Sequence, residues 1–133
     1  MSQENVEVVR QATEAFNEGD VEGSIAHLAP EFEYVATGSI PGAEGVYRGH
    51  EGWRRFLELF WGEFDEAHIE IRDLVASDDH VVATQTFQGR GKQSGVETSW
   101  DLWLVWTLLD GKVVRGQGFT SESDALEAAG LRE

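Results

Sequence analysis

Apolar positions recur at helical spacing in the first half of the chain and at every second residue in most of the second half. Val6, Val9, Thr13 and Phe16 fall on one helical face with Ala12 beside them, which predicts a first helix capped by Ser2 and stopped by Gly19. Asp20 is placed to cap a second, short helix whose inner face is Val21, Ile25 and Leu28 and which Pro30 closes. Residues 31–37 alternate, with Phe32, Tyr34 and Ala36 on one face, and predict a strand. A glycine-rich loop follows from Gly38 to Gly45. Trp53, Phe56, Leu57, Phe60, Trp61 and Phe64 then form a wide apolar stripe on a third helix over about 50–64.

From there the period changes to two. Ile69 and Ile71 alternate with His68, Glu70 and Arg72, a turn falls at Ser77-Asp78-Asp79, and Val81, Ala83, Gln85 and Phe87 alternate with Val82, Thr84, Thr86 and Gln88. The last third holds a long aromatic strand, a two-residue turn at Asp110-Gly111, a returning strand and a short helix over 123–131. A regular hairpin pairs Leu104 with Gln117, Trp106 with Arg115 and Leu102 with Phe119. Trp100, Leu102, Leu104 and Trp106 then share one face with Gln117, and Asp101, Trp103 and Val105 share the other with Gly116 and Gly118. A single bulge reverses the assignment of the returning strand. Three of the five tryptophans lie on this one strand, which marks it as a wall of a cavity or of a subunit interface. The element order predicts an α+β fold, a curved antiparallel sheet wrapped around three helices with a short C-terminal helix. Such a sheet leaves a conical hollow, where pockets form.

A length of 133 residues suits one domain spanning 1–133. There is no cysteine, so disulfides, thiolate zinc sites and cysteine nucleophiles are excluded. The net charge of −15 argues against nucleic acid and anionic membranes as partners. No run approaches the ~18 apolar residues of a membrane span. The polar first residues show no secretory leader, and the expected location is cytoplasmic.

Candidate chemistry is sparse. None of His27, His50, His68 and His80 is paired at ligand spacing, and His50-Glu51 lacks the second histidine of a zinc motif, so no metal or cofactor is expected. His50, at the start of the third helix, is read as a local cap, and His68 and His80 as solvent-facing. The glycine-rich stretch 89–95 joins strand to strand and lacks the helix N-terminus a phosphate site needs. Asp101, beside Trp100, is the one candidate acid or base, provided it is buried. Gln85 sits between Ala83 and Phe87 on an apolar face; its amide either orients a ligand carbonyl or is satisfied internally, and Gln117 carries the same two readings. Trp103 over Gly116 and Gly118 is read as a dimer contact.

Several segments resemble the nuclear transport factor 2-like superfamily, in particular its SnoaL-like polyketide cyclase and ketosteroid isomerase branch. They are Ala15-Phe16-Asn17-Glu18-Gly19-Asp20, Pro30-Glu31-Phe32-Glu33-Tyr34, Val46-Tyr47-Arg48-Gly49-His50-Glu51-Gly52, the hairpin from Val105 to Val114 and the tail from Ala125 to Leu131. The resemblance implies a cone-shaped fold, a homodimer through the sheet face and a small-molecule pocket. It also implies, for isomerases, a tyrosine, a carboxylate base and a protonated acid. Those places fall at Ala12, near Ala36 and near Leu104, so steroid isomerisation is not expected. The expected function is binding of a small apolar or amphipathic molecule in a pocket formed by Tyr34, Trp53, Phe56, Gln85, Trp100, Leu104, Trp106 and Gln117. The alternative is an isomerase or cyclase that moves a proton next to a carbonyl on a polyketide-like or terpenoid substrate.

Overall fold

Gly19 ends the first helix, α1 (Ser2–Asn17), with a φ of 75°, a left-handed conformation that glycine adopts without a Cβ clash. The Asp20 carboxylate accepts a hydrogen bond from the Gly23 amide at 2.9 Å and starts α2 (Val21–Ile25). The computed structural model describes residues 2–36 and 44–131. The Ser2 side chain, Thr37 and the glycine-rich loop up to residue 43 lie outside the described residues.

The chain turns into β1 (Leu28–Ala36) earlier than the pattern predicts, so Leu28 and Pro30 belong to a strand and not to the helix before it. Proline is tolerated there because the β1 ladder is irregular between Leu28 and Glu33, where the missing N–H forfeits no regular pair. A four-residue strand, β2 (Gly45–Arg48), pairs with β1. It was too short to show an alternation. Helix α3 (Gly49–Glu63) passes without a loop into β3 (Phe64–Ser77), so Phe64 is the first residue of a strand rather than the end of the helical stripe. Then come β4 (His80–Gly91), β5 (Glu97–Leu109), β6 (Lys112–Phe119) and α4 (Glu122–Ala128).

The six strands form one sheet in the order β2-β1-β6-β5-β4-β3, antiparallel except where β1 runs parallel to β6. Register shifts between Asp65 and His68 and between Ile71 and Asp73 bend β3, as bulges do, and curve the sheet toward α1 and α3. The Asn17 side chain fastens the end of α1 to β3. Its Nδ2 donates to the Ile69 carbonyl at 2.9 Å and its Oδ1 accepts from the Ile69 amide at 2.8 Å, the two bonds a neighbouring strand would make.

The final hairpin departs from the regular register. A bulge sets Thr107 opposite Arg115 but Leu108 opposite Val113, leaving Val114 as the extra residue. The pairing beyond it is shifted by one: Trp106 faces Gly116, Val105 faces Gln117 and Leu104 faces Gly118. Gly116 and Gly118 therefore lie on the inner face, and Gln117 on the outer. On the outer face α4 covers Val82 and Val105 through Ala125 and Ala129, with Trp103 and Phe119 half-buried beside them. Cover that the sequence assigned to a partner subunit thus comes in part from the chain's own last helix. No helix among the described residues is long and apolar enough to cross a membrane.

Candidate functional site

The inner face of the sheet is laid out in transverse rows, because antiparallel partners share a face. One row holds Trp100, Phe87 and Ile69; the next, Leu102, Gln85 and Ile71; the next, Leu104, Ala83 and Leu74; the last, Trp106, Val81 and Ala76. Helices α1 and α3 close over these rows and leave a cavity of about 80 Å³. That is several times the roughly 10–15 Å³ that one water needs. Tyr34, Trp53, Phe56, Gln85, Trp100, Leu104 and Trp106 all line it. Gln117 does not: the bulge turns it outward, where its Oε1 accepts from Arg115 at 3.1 Å.

Asp101 is also absent from the cavity. It is exposed on the outer face, where Oδ1 accepts from the Thr86 hydroxyl at 2.8 Å, and Thr86 in turn accepts from the Arg72 guanidinium. The condition for its acid or base role, burial beside Trp100, is not met. His50 is not a local cap either; its Nε2 lies 3.0 Å from the Leu28 carbonyl and ties α3 to β1. His80 is half-buried against the Thr107 hydroxyl at 3.1 Å. Among the described residues no group of three or more His, Asp or Glu is placed to hold a metal ion.

The cavity walls are mostly rings. At one end Tyr34 lies against Phe56 at 4.9 Å, Trp53 at 5.4 Å and Trp106 at 6.0 Å. At the other, Phe87 packs on Trp100 at 4.7 Å and Phe60 at 5.2 Å. Phe16, Phe60 and Phe87 were not singled out as lining residues by the sequence. Phe60 follows Phe56 by one helical turn and Phe87 follows Gln85 by one strand repeat, so both faces were legible.

Between the two aromatic ends lies Gln85, 2% exposed, with its amide among the apolar lining residues. The indole N–H groups of Trp100 and Trp106 are buried without an acceptor. Two hydroxyls on the wall are satisfied: Ser24 accepts from the Trp53 indole at 3.1 Å and donates to the Val21 carbonyl at 2.8 Å, and Thr13 donates to the Val9 carbonyl at 2.9 Å. Where the resemblance places proton-handling groups, Ala12 and Leu104 present apolar side chains to the cavity, and Ala36 ends β1.

Tyr34 is the single titratable side chain among the described lining residues. Burial, and after it the Tyr47 phenol, push its hydroxyl well above the ordinary value of 10.0. The unfolded chain loses this proton near pH 10 while the folded chain keeps it, so stability falls as pH rises above about 10. The expected slope from this one group reaches about 1.4 kcal/mol per pH unit and is missing in Tyr34→Phe. Urea melts of both proteins between pH 8 and 11.5 check this; identical slopes would contradict it.

The sequence matches the SnoaL-like domain family over residues 9–116. No curated protein matches it. Among solved structures, a nuclear transport factor 2-like protein of unknown function from Burkholderia pseudomallei superposes with a TM-score of 0.81 at 21% identity, covering 93% of this chain and 95% of that one. TerC co-crystallised with polyporic acid gives 0.81 at 23% identity over 96% and 98%. A candidate SnoaL-like polyketide cyclase from Jannaschia gives 0.78 at 19% identity over 99% and 94%. At these identities the likeness is one of fold.

Proposed function

This chain belongs to the SnoaL-like domain family, and from that premise we propose that its cavity takes up a small, largely apolar molecule and holds it without a proton-transferring side chain. One observation carries this reading. The wall offers aromatic rings and the Gln85 amide, but no carboxylate and no histidine among the described residues. Apolar lining with a few convergent polar groups is the usual composition of a small-molecule site. An amide carries two N–H donors, so a guest with an acceptor oxygen suits Gln85. The homodimer belongs to the same proposal. Trp103 and Phe119, left half-buried on the outer face beside α4, support a second copy there, and light scattering of the purified protein tests it.

The likeness to a candidate polyketide cyclase favours a second reading, an isomerase or cyclase in which Tyr34 and Gln85 polarise a carbonyl. One probe separates the two. Titration with 1-indanone is expected to change tryptophan fluorescence saturably, and Asp101→Asn is expected to leave the curve unchanged. Exchange of the ketone's α-protons in heavy water, followed by NMR, is expected to run at the buffer rate. Protein-accelerated exchange would replace the binding reading with the enzymatic one, and an unsaturable titration would defeat both.

A further inference from the structure

The row that ends the cavity runs across the whole sheet, and register places Tyr47, Tyr34, Gly116, Trp106, Val81 and Ala76 side by side. Gly116 therefore has a large ring on each flank. A Cβ built on it would lie 2.4 Å and 2.6 Å from Cζ3 and Cε3 of Trp106, and 3.1 Å from Cδ1 of Tyr34. The six-membered edge of the indole thus rests on bare backbone, and the two rings meet over it at 6.0 Å with planes 28° apart. Gly116 is buried, with an ordinary negative φ region that any residue tolerates; what demands glycine is space and not backbone conformation.

A side chain at position 116 would have to displace a ring. The sheet lies behind the indole and Tyr34 is itself packed against Trp53 and Phe56, so the open direction for Trp106 is the cavity. We infer that Gly116 is the residue that sets ligand size: by letting Trp106 lie flat on the sheet, it keeps open the end of the cavity that a fused bicyclic guest occupies. Even a methyl group at 116 lifts the indole into that space and leaves room for a single ring only. The inference rests on the binding reading above and adds to it a specific selector, which acts by positioning Trp106 and does not touch the guest itself. Aromatic cover of a strand glycine also occurs purely for stability, and the test must tell the two apart.

The experiment compares toluene with indane by tryptophan fluorescence in the wild type, Gly116→Ala and Gly116→Ala/Trp106→Leu. Forcing a methyl group into a packed site corresponds to about tenfold in affinity. Gly116→Ala is expected to weaken indane by about that factor while toluene changes little, and the smaller leucine is expected to restore the wild-type ratio. A folded Gly116→Ala whose toluene-to-indane ratio matches the wild type would overturn the inference and leave the binding reading standing. If the wild type takes up neither compound, the binding reading is judged by its 1-indanone titration instead. The steric part is then decided by a crystal structure of Gly116→Ala: an indole moved into the cavity upholds it, and an indole unmoved over a bowed strand refutes it.

Discussion

Gln85→Met is expected to make the protein more stable and worse at holding its guest. The amide is 2% exposed in the middle of the cavity wall. An amide held in an apolar wall until a guest pairs it costs about 1–3 kcal/mol, and an apolar side chain of similar length removes that penalty. The melting temperature should rise by several degrees, on the order of 2–8 °C per kcal/mol. If the amide meets an acceptor or donor on the guest, 1-indanone affinity should fall about tenfold, the worth of one hydrogen bond in a dry site. Thermal melts and fluorescence titration of the same preparation read both numbers. A loss of stability would mean that the amide is already satisfied, and would remove Gln85 from the site. The trade of stability for a binding group is common where function requires a locally unfavourable residue.

Phe60→Ala has the larger effect on stability. Phe60 is 2% exposed and touches rings from three parts of the chain: Phe16 on α1 at 5.3 Å, Trp61 on α3 at 5.3 Å, and Phe64 and Phe87 on the sheet at 5.4 Å and 5.2 Å. Truncation of such a phenylalanine costs about 3–5 kcal/mol, against a total of about 5–15 for a domain. Denaturant melts should show the midpoint falling with little change in slope. A loss below about 1 kcal/mol would mean that the two helices rest on the sheet by other contacts. Because Phe60 also lines the cavity, the folded variant should accept guests bulkier than indane.

The elements were legible because each has a distinct period. The stripe from Trp53 to Phe60 and the alternations from Ile69 and Val81 map onto α3, β3 and β4, with β3 beginning about four residues earlier and β4 ending about three residues later than the pattern shows. The cavity face of β5 was legible for the same reason: Trp100, Leu102, Leu104 and Trp106 alternate and all reach the hollow. What failed was register. No local signal announces that Val114 is an extra residue, and its insertion sends Gln117 outward and brings Gly116 and Gly118 inward. Leu28 and Pro30 were misplaced because proline reads as a helix stop as readily as it tolerates an irregular strand. The side of the sheet that Asp101 faces followed from alternation. Its pairing with Thr86 depends on β4 lying next to β5 with a particular offset, which is information carried by two distant segments at once.

α3 has no loop at either end: Arg48 closes β2 directly before it, and Phe64 opens β3 directly after it. A helix spliced to strands at both ends has no free end on which to swing. Its first turns are fastened as well, by His50 Nε2 at the Leu28 carbonyl and by the Trp53 indole at the Ser24 hydroxyl. The roof of the cup is therefore clamped along its length, and its shape is set when the chain folds.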